Sequence, residues 1–91
     1  MFHRAKEEAK LRPDDVAKLL KVSRVTVSLW FNGHTKPHHL LSKRVEKLLK
    51  AIDHATEAGD LPVPHDTPRR ERGLYLQRVV TKHLQSMATQ A

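Results

Sequence analysis

Arg24, Val25, Thr26, Ser28 and Leu29 bring a guanidinium, two hydroxyls and two aliphatic side chains into one short run. An arginine fork matches O6 and N7 of guanine and discriminates by about 1–3 kcal/mol, while Val25, Thr26 and Leu29 suit contact with a thymine methyl. Ser23, Asn32, His34 and Lys36 flank the run with groups suited to phosphate oxygens, which fix register without reading sequence. This is recognition chemistry rather than bond making. No Gly-rich phosphate loop or nucleophile elbow is present, and Asp14 and Asp15 are accounted for by the positive end of a helix dipole. An enzyme is therefore not expected, nor a cofactor. His34, His38 and His39 come nearest to a metal set, but Pro37 breaks the spacing that would align His34 with His38, and neither cysteine nor a nearby carboxylate completes it. No metal site is expected.

Two short helices must position these groups. The first opens at Pro13, a residue favoured at the first helical position, with Val16, Ala17, Leu19 and Leu20 as its buried stripe. Ser23 is the expected N-cap of the second, and Asn32-Gly33 its stop. The turn between them is then only about Lys21 and Val22. Ala17 leaves room where the helices cross, Val22 and Val27 plug the angle, and Trp30 anchors the second helix to the core. Trp30 is expected inside because single-strand binders need several exposed aromatics, and this chain has only Phe2, Trp30, Phe31 and Tyr75. Paired helices joined this tightly place the second one in the DNA major groove.

The remaining sequence also reads as helical. Phe2, Ala5, Ala9 and Leu11 give a short first helix; Leu40, Leu41, Val45, Leu48, Leu49 and Ile52 mark a longer one running to about Ala58, where Gly59 ends it. The one β-branched cluster, 22–27, alternates too briefly for a strand, so the expected class is all-α. Residues 60–68 hold three of the five prolines and form a connector. A final helix over 69–87 is expected, with Thr67 as N-cap and Pro68 at the first helical position. Its stripe, including Leu76, Val79, Val80, Leu84 and Met87, is too apolar for water and either folds back on the core or pairs with another chain. The domain plan is a DNA-binding domain over 1–59, a connector over 60–68, and a C-terminal helix over 69–91 as dimerisation element, with Leu61 and Val63 able to dock on either arrangement.

Seventeen Lys and Arg against ten Asp and Glu give a net charge of +7, suited to a phosphate backbone. At 91 residues the chain supports one modest core and no deep catalytic cleft between lobes. No apolar run approaches the roughly 18 residues that span a bilayer, and the first ten residues lack a signal-peptide core, so the expected location is cytoplasmic, without a membrane partner. Cysteine is absent, so neither disulfides nor thiolate metal sites stabilise the fold.

The stretch AKLLKVSRVTVSLWFNG resembles the Cro/CI-type helix-turn-helix of phage and plasmid repressors, and LWFNG resembles the end of the lambdoid recognition helix. The resemblance implies a lambda-repressor-like helical domain over about residues 2–58, followed here by a C-terminal amphipathic helix. It implies base reading by Arg24 and Val25, and by Leu29 one turn later. It also implies a phosphate contact at Asn32 and a base or phosphate contact at Thr35 or Lys36. Two positions depart from the family. Pro13 stands where glutamine commonly bonds a phosphate, so that contact is either lost or moved to Arg12. Lys21 stands where glycine is usual, at a cost of roughly 1–2 kcal/mol if it is left-handed; either the turn differs slightly from the family's or the lysine is kept near the DNA backbone.

The expectation is a homodimeric repressor that places helix 23–32 in the major groove of a palindromic operator, with half-sites roughly 34–36 Å apart. Two alternatives differ in class. One is an antitoxin whose segment after Asp60 wraps a toxin while the same helices autoregulate. The other is a basic module that binds an acidic protein.

Overall fold

In the computed structural model, which describes residues 2–89, the periodic segments fold as α1 (His3–Glu7), α2 (Pro13–Leu20), α3 (Arg24–Phe31), α4 (His39–Glu57) and α5 (Arg72–Thr89). A 3-10 turn at Arg69–Glu71 leads into α5. Among the described residues there is no strand, so the class is all-α as expected. Residues 1, 90 and 91, the ends of the expected domain plan, lie outside the described residues.

Local chemistry explains the boundaries of α2 and α3. Pro13 occupies the first turn of α2, where a missing N–H costs nothing, and the Asp15 carboxylate accepts the Arg12 N–H at 2.8 Å. At its other end Lys21 is left-handed (φ 58°, ψ 44°), and the Val22 N–H reaches back to the Ala17 carbonyl at 3.0 Å. Arg44 of α4 donates to the Leu20 carbonyl at 3.2 Å, placing a cation at the negative end of α2. Ser23 then caps α3, its Oγ accepting the Thr26 N–H at 3.1 Å. Gly33, at φ 75°, lets the chain leave α3 while the His34 N–H bonds the Leu29 carbonyl at 2.9 Å.

The core joins every helix. Val16, Ala17 and Leu20 of α2 meet Val27 and Trp30 of α3, over Val45, Leu48, Ala51, Ile52 and Ala55 of α4. Phe2 closes one side, stacked on Trp30 with ring centroids 5.7 Å apart and tilted on Phe31 at 5.5 Å. Leu40 does not join the α4 stripe. It lies in the first turn, 76% exposed, while Val45 and Leu48 make the contact.

In the C-terminal part the structure takes one of the two arrangements left open by the sequence and moves the start of the last helix. Leu76, Val79 and Val80 are buried in this same core, with Leu84 and Met87 packed against it, so the stripe assigned to dimerisation is covered by the chain's own α2 and α4. Leu61 of the connector is buried there too, and Asp60 is held by Tyr75, whose hydroxyl donates to its carbonyl at 2.6 Å. Leu61, Leu76, Val79 and Val80 therefore complete the core. The start of the last helix also differs: Thr67 does not cap it, Pro68 takes the cap position of a 3-10 turn, and the α-helix begins at Arg72.

Candidate nucleic-acid interface

α3 is amphipathic across its width rather than along its length. Val27 and Trp30 face inward and are buried, which fixes the helix rotation; Arg24, Val25 and Leu29 then face solvent by the 3.6-residue period. Val25 is 69% exposed, an aliphatic side chain held out on a well-anchored helix. Thr26 and Ser28 are half-buried at the margins of this face.

Arg24 is not alone there. Its Nε lies 3.2 Å from Oδ1 of Asp14, in the first turn of α2. Both side chains are open to water, and exposed pairs of this kind are worth about 0–1 kcal/mol, less than a good bidentate base contact. Asp14 thus aims the guanidinium without locking it. The partner was missed in the sequence because helix dipole complementarity already accounted for Asp14.

The hydroxyls expected to touch DNA divide differently. Ser23 and Thr26 bond each other at 2.7 Å, in addition to the Ser23 cap, so Ser23 is engaged in the helix start and Thr26 presents chiefly its methyl group. Lys21, Asn32, His34, Thr35 and Lys36 are all exposed, Lys21 in the turn before α3 and the others in the turn and loop after it. They bracket the Arg24–Val25–Leu29 edge at both ends. Arg12, at the N-cap of α2, is exposed on the end of α2 that carries Asp14.

The platform under this edge rests on contacts that local patterning does not reveal. Arg72 of α5 forks onto Asp15, with Nη2–Oδ2 at 2.9 Å and Nε–Oδ1 at 3.2 Å, and also donates to the Lys10 carbonyl at 3.3 Å. The bond to Asp15 holds the guanidinium pKa above its ordinary value. The signal was the run Arg69-Arg70-Glu71-Arg72, but nothing in it singles out the position that turns inward.

Apart from His34, the histidines near this loop serve α4. His38 caps α4, its Nδ1 accepting the Leu40 N–H at 3.3 Å, and its ring lies tilted against that of His39 with centroids 4.3 Å apart. Among the described residues no cluster of three or more His, Asp or Glu is placed to hold a metal ion, and no helix is long and apolar enough to cross a membrane.

No protein-family model, curated protein or solved structure matches this chain. A guanidinium beside two exposed aliphatic side chains, with an ammonium before it and amide, imidazole and ammonium groups after it, can donate paired hydrogen bonds, exclude water from methyl groups and neutralise phosphates.

Proposed function

We propose that this chain is a sequence-specific double-stranded DNA-binding regulator of the Cro/CI helix-turn-helix type, with a lambda-repressor-like fold. In this reading α3 enters the major groove, Arg24 reads a base edge, and Val25 and Leu29 contact thymine methyls. Lys21, Asn32, His34, Thr35 and Lys36 hold the flanking backbone. The single observation that carries the reading is the division of α3 between buried Val27 and Trp30 and exposed Arg24, Val25 and Leu29.

The regulatory role we propose is repression: a chain seated in the groove of a promoter blocks other proteins from it. The α5 stripe is engaged inside the chain, so the reading is one chain per half-site, with pairing on a palindrome supplied by the duplex. Amide chemical-shift mapping tests the contact face. Addition of a duplex enriched from a random pool should shift resonances in 21–36 and leave the core of α5 in place. Shifts confined to α4 and α5 would remove α3 as the reader.

A further inference from the structure

A second concentration of positive charge lies off the α3 edge. Arg12 of the α2 N-cap, His65 of the connector and Arg69 of the 3-10 turn line one cleft of about 390 Å³, together with Thr67 and Arg72. No acidic side chain lines it. Arg72 is neutralised there by Asp15, whose two oxygens it occupies. Arg12 and Arg69 have no such relief: both are exposed, and among the described residues neither makes an ion pair. With Arg72 matched by Asp15, Arg12 and Arg69 leave the cleft with uncompensated positive charge, which attracts an anion. The arrangement gains free energy when an anion enters.

We propose that Arg12, His65 and Arg69 form a second backbone-phosphate site, through which the C-terminal extension holds duplex DNA beyond the groove read by α3. This rests on the DNA-binding reading above. The occupant follows from continuity: Arg12 stands two residues before Asp14, which holds Arg24, so the cleft and the reading edge share the N-terminal end of α2. The connector, anchored through Leu61 and Asp60, keeps His65 and Arg69 at that end of α2. Phosphate contacts of this type carry no base information, so the site adds affinity and salt dependence without changing sequence preference.

The test is fluorescence anisotropy of the full chain with a labelled duplex of the enriched sequence, titrated from about 50 to about 200 mM salt. Arg69→Gln and the double variant Arg12→Gln/Arg69→Gln should bind several-fold more weakly at the low-salt end. Their plots of log affinity against log salt should be shallower by about one unit for each phosphate lost. Arg69→Lys should keep most of the slope, because a point charge suffices for a phosphate. Arg78→Gln, an exposed α5 arginine outside the cleft, is the control for loss of charge alone. Unchanged melting temperatures separate the effect from misfolding. The site is refuted if wild type binds the duplex and Arg69→Gln keeps the wild-type slope, or if Arg78→Gln flattens it equally. Absence of binding by wild type to any duplex overturns the DNA reading itself, a separate result.

Discussion

Asp15 and Arg72 join the first turn of α2 to the first turn of α5 across 57 residues of chain, through paired contacts of 2.9 and 3.2 Å. Asp15 also accepts the Arg12 N–H, so one largely buried carboxylate both starts the helix that carries Asp14 and ties it to the C-terminal extension. The orientation of α2, and with it the aim of Arg24, depends on a residue outside the two-helix unit.

Removing Arg72 leaves a buried carboxylate with one backbone partner. Arg72→Ala should therefore destabilise the chain by about 2–3 kcal/mol, the range for charged hydrogen bonds with a penalty for the uncompensated charge. Arg72→Lys should recover only part, having no fork to match both oxygens. Urea unfolding followed by circular dichroism measures both.

Lys21 adopts a left-handed conformation that glycine takes at no steric cost. Lys21→Gly should stabilise the fold by about 1 kcal/mol, the relief of strain being partly offset by the greater freedom of glycine in the unfolded chain. The same substitution should weaken DNA binding at low salt by removing a backbone contact. Opposite signs for stability and affinity are the expected signature, read by thermal melts and binding titrations on one preparation.

Asp60 sets an acid limit. Its carboxyl pKa lies below the ordinary value, chiefly because His83 hydrogen-bonds it at 2.8 Å, with Lys82 contributing charge and burial opposing. A carboxyl with a depressed folded pKa contributes stability above its unfolded value and loses it as pH falls through the folded one. Wild type should lose stability below the usual carboxylate range, whereas Asp60→Asn should start less stable and show a flatter acid limb. Melting temperatures from about pH 6 down to about pH 2 give the comparison.

Much of this was legible in the sequence, because hydrophobic period and capping residues are local signals. Val16, Ala17 and Leu20, then Val27 and Trp30, follow from spacing, and Ser23 and Gly59 mark helix ends where expected. What escaped is non-local. An apolar stripe such as Leu76, Val79 and Val80 reads the same whether its own core or a second chain covers it. No pattern tells that Arg44 caps α2 from 24 residues away, or which arginine of 69–72 turns inward. At the interface, the outward edge of α3 was readable from its period; the hydroxyl pair of Ser23 and Thr26 and the tether of Arg24 to Asp14 needed the packing of α2 on α3.

Exposure makes Val25 a clean probe of function apart from stability. Val25→Ser should shift unfolding free energy by no more than about 0.5 kcal/mol, as for other surface changes, while weakening binding to sites that present a thymine methyl there. Competition between the enriched duplex and one with uracil at the thymine positions reads the methyl contact directly.

The central claim is that Arg24 on α3 reads a base. Selection from a random duplex pool, run in parallel with wild type and Arg24→Ala, tests it most directly. Wild type should enrich a defined consensus, and Arg24→Ala should lose preference at one guanine position while keeping the rest, at about 1–3 kcal/mol on the wild-type site. No enrichment by wild type, or the same consensus from both proteins, would contradict it.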